Sequence, residues 1–137
     1  MVSRAQYQAV YRQVQVGTSG REKLIVMLYN GAIVALQKAR ELIHVRDYIG
    51  KGKAIFKAQD IVMELSLCLN EDYGTFATNL RRLYAYIYRR LSEANTEADP
   101  LPVEEALCLL TGLRDAWVFA TTSVATQEYH GRAGTVA

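Results

Sequence analysis

Apolar residues recur along most of the chain at intervals of three and four positions, and no stretch alternates strictly between apolar and polar residues. The first pattern is typical of amphipathic α-helices, and the second is typical of half-buried strands. The chain is therefore predicted to be all-α, with four long helices. The predicted core positions are, in chain order, Leu24, Leu28, Ala32, Ala35, Ala39 and Leu42; Ile55, Ala58, Val62, Leu65 and Leu69; Phe76, Leu80, Leu83, Ile87, Leu91 and Ala94; and Val103, Ala106, Leu107, Leu110, Leu113, Trp117, Ala120 and Val124.

Local residue combinations indicate where the first two helices begin and end. Ser19 with Glu22 three residues later forms a capping-box signature, which predicts a first helix over about 20–46. Gly50 and Gly52 predict the turn that follows, because glycine is common at chain reversals.

The second half of the chain carries two more breaks. Residues 70–74 and 95–99 are predicted connections, and Pro100 and Pro102 predict the first turn of the fourth helix. Proline is tolerated there because first-turn N–H groups have no partner within the helix. Amphipathic helices joined by short loops pack most simply as an antiparallel four-helix bundle.

The length of 137 residues fits one domain around one core, and we assign the bundle to residues 20–128. Residues 1–18 carry Tyr7 and Tyr11 on one apolar helical edge. So short a helix is marginal in water, and this N-terminal helical segment is therefore predicted either to dock on another surface or to be mobile. Residues 129–137 have no long apolar pattern and are predicted to fray.

Composition narrows the class of protein. Half of the residues are apolar and the formal net charge is only +2, which disfavours a disordered chain. The most apolar run, 24–36, contains Asn30 and Gly31 and falls short of the roughly 20 residues that a membrane-spanning helix needs. No signal peptide opens the sequence, so a soluble, cytoplasmic protein without membrane insertion is expected. Cys68 and Cys108 lie within apolar helical patterns and are interpreted as small buried hydrophobes in a reducing compartment.

Residue types that support catalysis or metal binding are scarce. The histidines are His44 and His130, and only His44 has a glutamate, Glu41, three positions before it. A di-iron bundle needs two such Glu-x-x-His pairs on facing helices. No glycine-rich phosphate-binding motif is present either. We therefore expect no enzyme activity, no metal and no cofactor.

The third helix carries a dense group of positive charges, Arg81, Arg82, Arg89 and Arg90. These residues lie opposite its apolar stripe and could contact nucleic acid. The whole chain is nearly neutral, however, and residues 93–105 hold five acidic side chains and no basic one. Ion pairing within the bundle is therefore favoured, and nucleic-acid binding is kept as an alternative.

Apolar and aromatic residues exceed what four single-stripe helices require. The surplus falls on the first helix, on the N-terminal segment and on tyrosines beside the third apolar stripe. Tyrosine suits a surface that is alternately exposed and covered, so the pattern indicates a module that binds a partner helix. The predicted contact residues are Tyr7, Tyr11, Leu24, Met27, Leu28, Tyr29, Ile33, Tyr84 and Tyr88.

Three blocks in fixed order carry a family resemblance. They are LIVMLYNGA over 24–32, LYAYIYRRLSEAN over 83–95, and LRDAW over 113–117. Together with Tyr7 and Tyr11, these blocks resemble the flagellin-specific export chaperones, the FliS family, over roughly residues 6–117.

The resemblance implies a cytoplasmic chaperone of the flagellar type III export system. Such a protein would be an antiparallel helical bundle that binds the C-terminal region of flagellin, prevents its premature polymerisation and delivers it to the export gate. It also implies that the N-terminal segment with Tyr7 and Tyr11 covers part of the flagellin groove when the partner is absent. A homodimer is left open, and a generic adaptor for another amphipathic helix is the alternative function.

Overall fold

The structure is a computed structural model that describes residues 18–70 and 74–135, with side chains for 20–70 and 74–122. Within these ranges the chain forms α1 (Thr18–His44), α2 (Tyr48–Leu67), α3 (Thr75–Glu97) and α4 (Pro100–Thr135), and no strand. Both α1 and α3 pack against α2 and against α4. This neighbour order is that of an up-and-down bundle, and the predicted all-α four-helix fold is confirmed.

Side-chain hydrogen bonds show that adjacent helices run in opposite directions. Lys51 Nζ near the start of α2 donates to the carbonyl of Asn95 near the end of α3. About two turns further along α2, Gln59 Nε2 donates to Ser92 Oγ. Later residues of α2 thus meet earlier residues of α3, as the predicted antiparallel arrangement requires.

The core contains most of the predicted positions, with two changes in α3. Phe76 is 57% exposed because Ala77, one residue later, turns inward at the first turn. Tyr84 is buried in the centre of the stripe, and Leu83 packs only at its edge. The prediction that Phe76 lies in the core is therefore wrong, whereas Leu83 packs against the core but is only partly buried. The buried stripe of α3 consists of Ala77, Leu80, Tyr84, Ile87, Leu91 and Ala94.

The first two helix starts also differ from the prediction. Ser19 lies inside α1, one residue after its first residue, so it does not precede the helix as a cap. Gly50 likewise lies inside α2, where its N–H donates to Asp47 Oδ1 at 3.0 Å. Asp47 is therefore the N-cap of α2. The chain reverses at Arg46, which has a φ of 61°, and the predicted turn at Gly50 and Gly52 is wrong.

The last helix begins at Pro100, as predicted, and continues to Thr135. The last part of this helix is the segment 129–135, for which fraying stays a prediction. Ala120 is exposed on this helix, although it was predicted to be in the core. None of the described helices combines the length and apolar character needed to cross a membrane. Tyr7 and Tyr11 lie outside the described residues.

The two cysteines are free, and neither is fully buried. Cys108 is exposed because it points outward from α4, away from the buried positions Leu107 and Leu110. Cys68 is half-buried just after α2. Burial raises the pKa of its thiol, and the nearby Glu64 carboxylate raises it further. The interpretation of Cys108 as a buried hydrophobe is wrong.

Candidate functional site

A groove of about 630 Å³ lies between the first turns of α1 and the middle of α4. We call it the α1–α4 groove. Val26 and Met27 contribute its α1 side and Val118 contributes its α4 side. Met27 is 54% exposed and Val118 is 45% exposed, so both can be covered further by a partner. The lining is completed by Glu22, Lys23, Thr121 and Thr122.

The groove arises from the alignment of α4 against α1. Arg114 Nη1 donates to Asn30 Oδ1 at 3.0 Å and links the two helices beside the groove. Side chains four residues apart lie on the same face of a helix. One turn beyond Arg114, Val118 therefore faces the part of α1 that carries Val26 and Met27.

A buried cluster of aromatic hydroxyl and indole groups supports α4 at the same level. Tyr29 Oη of α1 and Tyr84 Oη of α3 lie 2.5 Å apart. Trp117 of α4 packs against the core beside this pair, and its indole N–H, which can only donate, lies close enough to lower the pKa of Tyr29. Burial raises the pKa of both tyrosines, so both hydroxyls stay neutral. Since Trp117 directly precedes Val118, this cluster positions one side of the groove.

A second, smaller cavity of about 220 Å³ lies at the same end of the bundle. Arg21, Cys68, Tyr84 and Trp117 are among the residues that line it. Arg21 Nη2 donates to the Cys68 carbonyl at 2.6 Å and thereby ties the start of α1 to the end of α2. The cavity thus adjoins the aromatic cluster.

The residues predicted to contact a partner fall into three groups. Met27 lies in the α1–α4 groove, and Tyr88 is 40% exposed on α3, away from that groove. Tyr7 and Tyr11 lie outside the described residues. The others pack inside the bundle, so their apolar character serves the core rather than an open surface. These buried residues are Leu24, Leu28, Tyr29, Ile33 and Tyr84.

Sequence reasoning missed Val26, Val118, Thr121 and Thr122 as groove residues. No motif marks the three on α4. Finding them requires the relative position of α1 and α4 along their axes, which the contact between Asn30 and Arg114 shows only in the structure.

The arginines of α3 are partly neutralised, as predicted. Arg90 pairs with Glu93 on α3 and, at 3.2 Å, with Glu105 on α4. Tyr86 Oη donates to the same Glu105 carboxylate at 2.5 Å. The hydrogen bond from Tyr86 lowers the pKa of Glu105, and the Arg90 charge lowers it further. Arg81 reaches back to the Leu69 carbonyl.

The described part of the chain holds no group of three or more histidine, cysteine, aspartate or glutamate side chains that could bind a metal ion. Glu41 and His44 are both exposed on α1. The side chain of His130 lies outside the described set.

Comparison with known proteins gives one consistent result. The family model described as "Flagellar protein FliS" matches residues 3–124, which include the whole groove. The chain is 35% identical to the "Flagellar secretion chaperone FliS" of Bacillus subtilis, over 90% of this chain and 92% of the relative. It is 36% identical to the protein of that name from Salmonella typhimurium, over 89% of this chain and 92% of the relative. It is 35% identical to the "Flagellar secretion chaperone FliSB" of Pseudomonas aeruginosa, over 85% of this chain and 94% of the relative.

Proposed function

The chain belongs to the FliS family of flagellar secretion chaperones, and we propose that it binds the C-terminal segment of flagellin in the cytoplasm. Binding would keep that segment from polymerising prematurely, and the complex would deliver it to the flagellar type III export apparatus. The observation that carries this proposal is the α1–α4 groove, with exposed Met27 and Val118 on its two sides. The protein acts by binding alone, without covalent chemistry.

The groove determines what kind of segment it can accept. Val26, Met27 and Val118 favour the apolar face of an amphipathic segment, because covering them removes apolar surface from water. The hydroxyls of Thr121 and Thr122 already donate hydrogen bonds to carbonyl groups one turn earlier on α4. A bound segment that covers these hydroxyls therefore leaves neither of them without a hydrogen-bond partner. A client segment that is unstructured before binding loses conformational entropy when it binds. The free energy gained by burying apolar surface must offset this loss.

We also propose that the N-terminal segment competes with flagellin for this groove. The groove-lining residues Glu22 and Lys23 lie four and five positions after Thr18, where α1 begins. Residues 1–17 therefore join α1 within about one turn of the groove. Tyr7 and Tyr11 would cover its apolar sides when the client is absent. Burial of one large apolar side chain contributes about 1.5–3 kcal/mol, so two tyrosines hold the segment weakly enough to be displaced.

Calorimetry with the C-terminal segment of flagellin from the same organism tests the proposed client. The expected result is a one-to-one complex. Absence of binding to this segment would contradict the proposal, and would leave the alternative of an adaptor for another amphipathic helix. Binding to duplex DNA with steep salt dependence would favour the nucleic-acid alternative instead.

A further inference from the structure

The smaller cavity, of about 220 Å³, is lined by residues of all four helices. We call it the end cavity. Ile25 of α1, Leu65 of α2 and Tyr84 of α3 are buried and form its inner wall. Trp117 contributes the side that belongs to α4. The end cavity is therefore a space inside the bundle rather than a depression on one face of it.

The outer part of the end cavity is polar and lies at one end of the bundle. Arg21 and Glu22 are in the first two turns of α1, and Asn70 lies three residues after the last residue of α2. All three residues are half-buried, whereas the inner wall is buried. The cavity thus opens at the end of the bundle and leads from a polar mouth to an apolar interior.

The interior suits an apolar group better than it suits water. Every buried polar side-chain atom in the part of the chain that the structure describes has a hydrogen-bond partner, and the Tyr84 hydroxyl is paired with that of Tyr29. A buried water molecule needs about two to four polar partners, which this interior does not offer. An apolar cavity of about 150 Å³ is large enough to take up benzene. The end cavity therefore has room for one side chain of the size of leucine or phenylalanine.

The end cavity adjoins the α1–α4 groove. Glu22 lines both of them. On α1, Ile25 lines the cavity and Val26 lines the groove; on α4, Trp117 lines the cavity and Val118 lines the groove. Consecutive residues of a helix point roughly 100° apart, so each helix presents one residue to each space. A segment that lies in the groove and continues past Glu22 reaches the mouth of the cavity.

We infer that the end cavity takes one large apolar side chain of the client segment that occupies the α1–α4 groove. This inference rests on the proposed function, because the client is the flagellin segment. Covering Met27 and Val118 requires only an apolar face, which many amphipathic segments have. An enclosed cavity instead accepts a side chain of limited size at one position of the segment. The end cavity thus selects the client and fixes its register along the groove.

Two cysteine variants of the full-length chain provide a matched test. Cys68→Phe places a ring at a residue that lines the end cavity, and Cys108→Phe places the same ring at an exposed position of α4. Trp117 is the only tryptophan of the chain, so a single indole N–H resonance reports on the cavity in NMR spectra.

Titration with toluene tests the cavity without any client. Toluene should shift the Trp117 resonance saturably in the unmodified chain and in Cys108→Phe, but not in Cys68→Phe. Absence of a saturable shift in the unmodified chain, or an equal shift in Cys68→Phe, would overturn the inference. A shift confined to Tyr7→Ala with Tyr11→Ala would assign the cavity to the N-terminal segment and refute a client side chain as its occupant.

Calorimetry with the flagellin segment tests the occupant. Binding to Cys68→Phe should be weaker than binding to Cys108→Phe by about tenfold or more, because the burial of one large apolar side chain is lost. An alanine scan of the segment should find one large apolar position whose replacement weakens binding to the unmodified chain but not to Cys68→Phe. Saturating toluene should also weaken flagellin binding to the unmodified chain, a result that does not depend on the folding of a variant.

The outcomes separate this inference from the proposed function. If the unmodified chain binds flagellin, and the two cysteine variants bind it equally well or toluene leaves its affinity unchanged, the end cavity holds no client side chain. The α1–α4 groove then remains the proposed site. If the unmodified chain does not bind flagellin, the proposed function is refuted, and the inference is refuted with it.

Discussion

The hydroxyl groups of Tyr29 in α1 and Tyr84 in α3 lie 2.5 Å apart in the centre of the bundle. These two helices are diagonal rather than adjacent, since α1 packs against α2 and α4. The hydrogen bond therefore links opposite sides of the bundle, and Trp117 of α4 packs against the core beside Tyr29. The three residues join the core to the side of the α1–α4 groove that carries Val118.

Tyr84→Phe should lower the free energy of unfolding by about 1–3 kcal/mol, because the buried Tyr29 hydroxyl loses its partner. Tyr29→Phe should lower the free energy of unfolding by a similar amount, since the buried Tyr84 hydroxyl then loses its partner. Urea unfolding of the two single variants and of the double variant measures this. If the loss of unfolding free energy in the double variant equals the sum of the losses in the two single variants, the two hydroxyls are not coupled and this description of the core is wrong.

The same pair predicts that the fold weakens at alkaline pH. Burial raises the pKa of Tyr29 and Tyr84 above the ordinary value of 10.0. Their contribution to stability is thus complete below pH 10 and is lost as the pH rises above that value, where the unfolded chain ionises first. The loss is about 1.4 kcal/mol per pH unit for each tyrosine. Above pH 10, the urea midpoint of the double variant Tyr29→Phe with Tyr84→Phe should fall less steeply with pH than that of the unmodified protein. An equal slope for the two proteins would contradict the raised pKa of these tyrosines.

Two glycines in the first turns of α2 form a matched pair with opposite predicted effects. Gly52→Ala should stabilise the fold by up to about 1 kcal/mol, because alanine favours helix and its Cβ would lie 3.6 Å from Asn95 Oδ1. Gly50→Ala should destabilise it, since its Cβ would lie 2.6 Å from Asp47 Oδ2 and displace the capping carboxylate. Thermal unfolding compares the two. Equal effects would mean that Asp47 does not cap α2 as described.

Tyr7→Ala with Tyr11→Ala should raise the apparent affinity for flagellin a fewfold if the N-terminal segment competes for the groove. Removing a competing state increases the fraction of molecules that can bind. Calorimetry with the flagellin segment measures the change, and thermal unfolding checks that the bundle stays intact. An unchanged or weaker affinity would refute competition by these tyrosines.

Helical periodicity was enough to predict four helices and most of their buried positions, because burying an apolar stripe dominates bundle packing. It could not distinguish Leu83 from Tyr84 as the central residue of α3. A tyrosine enters the core only if its hydroxyl finds a partner, and that partner, Tyr29, is 55 residues away. The turn after α1 was misplaced because Asp47 caps α2 while Gly50 continues it.

The candidate site was less predictable than the fold. Met27 was identified because it adds to the apolar surface of α1. Leu24 and Leu28 were predicted both as core positions and as contact residues, and both are buried. Whether Val118 lines the groove depends on how far α4 is shifted along α1. The periodicity within one helix does not determine that shift. The resemblance identified the family, which the comparisons confirm, without identifying the groove.

The central claim, that the α1–α4 groove holds the flagellin segment, is tested most directly by calorimetry on two matched variants of α1. Met27→Asp places a charge in the groove, and Val34→Asp places one at a similarly exposed valine outside it. The account predicts at least tenfold weaker flagellin binding for Met27→Asp and unchanged binding for Val34→Asp, with equal thermal stability. Equal affinities of the two variants would contradict it.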